Sequence, residues 1–142
     1  MERTKQRATQ CIALLVCLII PLSLGISAKA ATTDPMQPMY IGIVSLSPRL
    51  VISPSGTISC TDTVSLKNGY SANITWELKH GTGNTLSKLS SWTASGKGEI
   101  TLSKGRQAIR GYSYQLKATA KVYDSNGNYI ETAVKYSSVV SY

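Results

Sequence analysis

Phenylalanine is absent from the chain, histidine occurs once (His80), and seven acidic residues stand against fifteen lysines and arginines. Cysteine is scarce too, at Cys11, Cys17 and Cys60. The first two fall in a segment with the marks of a removable leader, so one imidazole and one thiol remain. That excludes a zinc site built wholly from His and Cys. A length of 142 residues allows one domain and a tail and excludes a large multidomain enzyme. Apolar residues make up 42%, too many for a disordered chain and too few for a protein that spans a membrane many times.

The leader is tripartite. Arg3, Lys5 and Arg7 form a basic start, Cys11 to Ile20 is apolar, and Ser27-Ala28-Lys29-Ala30 carries the small-x-small pattern that a signal peptidase reads. The apolar stretch 11–26 is interrupted by Pro21 and Gly25 and falls short of the roughly 20 residues that a bilayer core demands of a helix. A lipoprotein anchor at Cys17 fits poorly, because Val16 stands where a small residue is needed. Residues 1–30 are therefore expected to engage the membrane only during export and then to be cleaved. What remains carries eleven basic and six acidic residues and only Cys60. No intramolecular disulfide can form, and packing must hold the fold. An exported protein without disulfides suits a Gram-positive bacterium better than a eukaryotic secretory route.

Residues 31–39 contain Pro35 and Pro38 and read as a linker. From Tyr40 to Tyr142 the pattern has period two. Ile58, Cys60, Val64 and Leu66 share one parity, interrupted by Asp62. Ala72, Ile74, Trp76 and Leu78 form a second alternating run, and Tyr112 to Val122 forms the clearest one. Ile100 and Leu102 mark a shorter strand. Asn68-Gly69 and Asp124-Ser-Asn-Gly-Asn128 supply turn residues. Leu86, Leu89 and Trp92 do not share strand parity and would fit a helical turn equally well. The sum is all-β: a single antiparallel β-sandwich of seven to eight short strands, residues 40–142.

Gly111-Tyr-Ser-Tyr-Gln-Leu-Lys-Ala-Thr-Ala-Lys-Val-Tyr-Asp124, with Asn126-Gly127 after it, resembles the last hairpin of immunoglobulin-like sandwiches. In those, a tyrosine at the preceding corner ties the chain to upstream backbone, a role this likeness gives to Tyr112. Two residues on stands Tyr114, not Cys, so the antibody-type disulfide is absent. The wider layout comprises a signal peptide, Gly69-Tyr70, Trp76-Glu-Leu78, Trp92, Gly111-Tyr-Ser-Tyr114 and Glu131. It resembles an uncharacterised family of small secreted Gram-positive proteins, a domain of unknown function. The resemblance implies export and a sandwich fold and assigns no activity.

Catalytic chemistries find little support. His80 precedes Gly81-Thr-Gly-Asn84, reads as an exposed loop histidine, and has no nucleophile motif beside it. Glu77 and Glu131 read as outward-facing strand residues rather than a glycosidase pair. An EF-hand starting at Asp124 would need Gly at Tyr129 and Glu at Lys135, so a hairpin turn explains those residues better. Gly96-Lys97-Gly98 lacks the spacing of a phosphate loop, and Asn73-Ile74-Thr75 is a glycosylation sequon placed in a strand. No catalytic residue, metal ligand or cofactor is expected.

Two features point to binding. Lys97, Lys104, Arg106, Arg110, Lys117 and Lys121 crowd a stretch with one acid, Glu99. As one basic face they would meet anionic wall polymers, lipid headgroups or other extracellular polyanions. Nucleic acid is a poorer partner for a protein that leaves the cell and has no nucleic-acid-binding motif. Trp92 lies among Ser90, Ser91 and Thr93. An exposed ring there would stack on a glycan or anchor a protein, while the commoner fate of a large aromatic is to plug one end of the sandwich. The reading is a secreted, non-enzymatic module that binds an anionic polymer, glycan or extracellular protein. A self-assembling structural protein that pairs its edge strands is the alternative, and a small secreted hydrolase is a distant third. Mature protein recovered from growth medium is expected to begin at or near Ala31, which intact mass and N-terminal sequencing check.

Overall fold

The computed structural model describes residues 39–142. The expected signal segment 1–30 and the linker up to residue 38 lie outside the described residues. Nine strands and no helix appear among the described residues, in two antiparallel sheets. In the first, β1 (Ile43–Leu46) and β2 (Arg49–Ile52) lie end to end along one side of β3 (Thr57–Leu66), and β6 (Glu99–Gln107) lies along the other. The second has the order β5 (Ser87–Lys97), β4 (Ser71–Gly81), β7 (Ser113–Tyr123), β8 (Tyr129–Tyr136). The two-residue β9 (Val140–Ser141) pairs with the start of β7.

Alternation explains the layering. Successive side chains of a strand point to opposite faces, so Ile58, Cys60, Val64 and Leu66 of β3 enter the core with Ile100 and Leu102 of β6. From the second sheet come Ala72, Ile74, Trp76 and Leu78 of β4 and Tyr114, Leu116, Ala118, Ala120 and Val122 of β7. Trp76 stands opposite Ala118 across the β4–β7 ladder, and the small partner leaves room for the indole. The outward positions are mostly Ser, Thr, Asn, Gln, Glu and Lys, giving the dry-inside, wet-outside alternation of a half-buried antiparallel sheet.

Asp62 breaks the apolar parity of β3 without leaving the core. It is 3% exposed. Its Oδ2 accepts a 2.6 Å hydrogen bond from Trp76 Nε1 in the opposite sheet, and its Oδ1 accepts one of 3.0 Å from the Ser47 amide. The polar residue inside is thus satisfied by the indole N–H of a core aromatic and by a backbone amide. Ser47 and Pro48 separate β1 from β2, and proline has no amide to offer the ladder. The Asp62 carboxylate takes up the Ser47 amide at this gap.

Two extra residues reset the parity. The β4–β5 ladder pairs Leu78 with Ser90 and Lys79 with Lys88, so Leu89 is bulged. This is why Leu86, Leu89 and Trp92 fail to alternate although the segment is strand rather than helix. Likewise Ile130 is extra in β8, where Val122 pairs with Glu131 and Tyr123 with Tyr129. At the entry to β7 it is Tyr114, not Tyr112, that ties down the corner. Its hydroxyl accepts from the Ile109 amide at 2.8 Å and donates to the Ile109 carbonyl at 3.4 Å. Both tyrosines share the inward parity of Leu116 and Ala118, but Tyr112 precedes β7, half-buried and stacked on His80, whereas Tyr114 lies within the strand at 1% exposed.

Close approach demands glycine at Gly42, where a Cβ would stand 2.7 Å from Val122 and 2.8 Å from Tyr70. The β7–β8 reversal uses Gly127 at φ +82°. Asp124 closes that turn by accepting from the amides of Asn126 and Asn128 and from the Asn128 side chain. These bonds, the Asn128 side chain's first among them, hold the Asp124 carboxyl below its usual range.

Burial raises the Asp62 pKa above the usual carboxylate range, against the pull of the Trp76 hydrogen bond, the Ser47 and Thr63 amides and the Lys135 charge. A folded pKa above the unfolded one means that Asp62 contributes most below its unfolded pKa. That contribution is lost as pH rises through the folded value. Trp76→Phe removes the donor and leaves an orphaned buried oxygen, a cost of about 1–3 kcal/mol. The deficit is expected to widen as pH rises through the Asp62 titration, because the ionised carboxylate misses the bond more than the neutral acid does. Urea unfolding of both proteins across that range checks it, and a deficit independent of pH would contradict the assignment. Cys60 is a free thiol, 1% exposed, with its pKa pushed up to about 11 by burial. It is expected to react with a thiol reagent only at the rate of unfolding and at once in denaturant.

Candidate functional site

The basic stretch 97–121 runs from the end of β5 through β6 into β7, so it crosses both sheets and does not form one face. Lys117 and Lys121 lie on the outer face of the β5-β4-β7-β8 sheet. Lys117 Nζ is 3.3 Å from Glu77 Oε2 on the neighbouring strand, whereas Lys121 is exposed. Arg110 lies in the β6–β7 connection with its guanidinium 5.2 Å from the Tyr142 ring centroid, a contact worth about 0.5–1 kcal/mol at an exposed site.

The remaining members come together along the side where β5 and β6 border each other. Lys104 and Arg106 continue the inward parity of Ile100 and Leu102. Both are exposed, because β6 has no neighbour on its far side among the described residues. Arg106 Nη1 donates to Ser90 Oγ of β5 at 2.6 Å, joining the two sheets across this margin. Lys97 ends β5, and Lys88, which the composition of 97–121 could not include, stands near its start. Both are exposed, as is Ser91 on the same strand. Trp92 pairs with Trp76 in the β4–β5 register and packs half-buried against the core. It lines the side of the sandwich, neither fully exposed nor sealed at an end.

A second polar place was hidden from composition altogether. An open cleft of about 510 Å³ lies at the β1–β2 gap, lined by Ser47, Pro48, Arg49, Thr61, Asp62, Thr63 and Lys135. Lys135 enters from β8 with inward parity, opposite Ala118. Both Asp62 oxygens are engaged by Trp76 and Ser47, so the carboxylate is a structural tie here and not a free acid or base. The one legible trace was an acid in a core slot of β3.

Two residues depart from the sequence reading. His80 is not a loop residue but belongs to β4, stacked on Tyr112 at 5.3 Å between centroids and 16° between planes. Its Nδ1 is buried without a hydrogen-bond partner, and no Ser, Cys or carboxylate is set against it as a catalytic partner among the described hydrogen bonds. Glu131 does not face outward. The Ile130 bulge turns it inward, where it accepts from the Ile41 and Gly42 amides at 3.0 and 2.8 Å and holds the entering chain against β8. Glu77 does face outward, in its pair with Lys117. The Asp124 carboxylate is engaged within its own turn. Among the described residues no group of three or more His, Cys, Asp or Glu could hold a metal ion.

The described part of the chain is thus a small all-β sandwich in which Asp62, Glu77, Asp124 and Glu131 are engaged in structural contacts, and four exposed cations stand against one exposed acid, Glu99, beside β5 and β6. No family model matches the chain, and no curated protein matches it.

Proposed function

We propose that this chain is an exported, non-enzymatic binding module whose ligand is anionic and meets it along the β5–β6 side. One observation carries the reading: Lys88, Lys97, Lys104 and Arg106 border an uncharged stretch of β5 with Glu99 as the one acid nearby. The single close ion pair among the described residues, Lys117–Glu77, lies elsewhere. Cations left unpaired on one side give a local positive potential that steers and holds anions. Trp92 adds a half-buried ring in the same strand. Export rests on the basic, apolar and small-residue sections of 1–30 and is consistent with a single buried thiol.

The strand arrangement supports an immunoglobulin-like reading of the sandwich. The first sheet has β3 at its centre between β1/β2 and β6, facing a β5-β4-β7-β8 sheet with a buried Trp on β4 and a corner tyrosine on β7. Tyr114 takes the tyrosine role, and the slot two residues on is Leu116, so Cys60 on β3 has no disulfide partner there. Such folds commonly carry binding surfaces on otherwise inert frames.

The mature domain is expected to bind a sulfated or phosphorylated polymer at least tenfold more tightly than a neutral one at low salt. Binding should collapse as the Debye length falls from about 30 Å at 0.01 M to about 8 Å at 0.15 M. Lys104→Glu with Arg106→Glu should weaken it far more than Lys121→Glu, which lies on the outer face of the other sheet. Titration calorimetry at several salt concentrations measures all three. Equal affinity for neutral polymer, or indifference to salt, would remove the anionic reading and favour stacking through Trp92.

A further inference from the structure

A β-sandwich has four strand edges, and an unguarded one is a template for another strand. Three of the four are guarded here. The β1/β2 edge is broken at Ser47–Pro48, and neither piece exceeds four residues. The β6 edge points Lys104 and Arg106 inward. The β8 edge points Glu131 and Lys135 inward and carries the Ile130 bulge. Inward charges, prolines and bulges are the devices that stop a second strand from docking.

The β5 edge is the exception. Beyond its Leu89 bulge the strand runs regularly from Ser90 to Lys97 against Leu78 to Ser71. Ser90-Ser-Trp-Thr-Ala-Ser-Gly96 contains no charge and no proline, and its inward positions are Ser90, Trp92, Ala94 and Gly96. No strand lies on its far side among the described residues, so alternate backbone amides and carbonyls of this run face away from β4 without a ladder partner.

Charge decides the occupant. Lys88 and Lys97 mark the two ends of β5, and Arg106 reaches the inner margin of the strand at Ser90. A second copy pairing β5 with β5 would bring these same cations against themselves. We propose that β5 receives an acidic, extended polypeptide as an added strand. The backbone of that strand completes the ladder, and its carboxylates meet Lys88 and Lys97 on one face and Lys104 and Arg106 on the other. At about 3.3 Å per residue the distance from Lys88 to Lys97 suits a segment of eight to ten residues. This inference rests on the anionic reading above and narrows it from charge alone to charge plus backbone pairing.

The test uses the mature chain and three probes. One is a ten-residue peptide of Glu and Val in alternating pairs, so that an extended backbone carries carboxylates on both faces. The second is the same peptide N-methylated at alternate amides, in both phases, and the third is a sulfated polysaccharide. The plain peptide is expected to bind at least tenfold more tightly than at least one methylated form and to slow amide exchange within Ser90–Gly96. Thr93→Pro and Ala94→Pro are made together, since one removes an outward amide and the other an amide bonded to β4. Whichever keeps the wild-type melting temperature should lose at least tenfold in peptide affinity while still binding the polysaccharide. If one methylated peptide binds as tightly as the plain peptide and the other does not, the phase that fails identifies the paired face and the inference stands. Equal binding by all three peptides would overturn strand addition and leave the anionic reading intact. Polysaccharide binding without peptide binding would do the same. Failure of both anionic probes would overturn both readings, and concentration-dependent dimerisation with protected β5 amides would show that the occupant is a second copy.

Discussion

One hydrogen bond, from the Trp76 indole to Asp62, joins the centres of the two sheets. A carboxylate in a core is a poor device for raw stability, because removing it from water costs several kcal/mol before its bonds return anything. It is a good device for fixing register. Asp62 must face the indole and the Ser47 amide at once, and a slip of one residue in β3 would carry it to the outer face with every apolar neighbour. The same residue shapes the edge beside it. With Oδ1 accepting the Ser47 amide, the strand alongside β3 can break at Pro48 without leaving that donor unpaired, and the cleft between β1 and β2 opens over the tie.

The other inward polar groups follow similar logic at the margins. Glu131 holds the amides of Ile41 and Gly42, and the chain can come that close to Val122 because residue 42 lacks a side chain. Tyr114 closes the corner before β7 through the Ile109 backbone. In each case a side chain from one element satisfies backbone donors where a ladder stops. A sandwich without disulfides needs such closures, since its edge segments would otherwise fray first.

Long alternating runs were readable from the sequence because burial on one face leaves period two in β3, β4 and β7. The misreadings share a cause. Leu89 and Ile130 are single extra residues in edge strands, and one bulge inverts every parity inference beyond it. That made β5 look half-helical and sent Glu131 to the wrong face. Tyr112 and Tyr114 are alike as letters and in parity, and only the point at which β7 begins, at Ser113, places Tyr114 rather than Tyr112 against the Ile109 backbone. The basic stretch misled for another reason. Nearness along the chain places 97–121 on three strands in two sheets, and charge counting has no knowledge of the turn at Gly98. What composition did show was the surplus itself, and folding concentrates part of it where β5 and β6 meet.

That concentration and the state of the strand edges belong to one problem. A domain with long antiparallel strands must avoid pairing with its own copies. Three edges here use local devices, each of which also blocks any other strand. Cations set around a smooth edge work differently: they repel a copy that carries the same charges and attract a strand that carries the opposite ones. The guard is then selective rather than absolute, and its strength depends on salt in a way that a proline or a bulge does not. On this reading the uncharged surface of β5 and the charges that border it are two halves of one specificity device, with backbone pairing supplying contact and electrostatics deciding whose backbone is admitted.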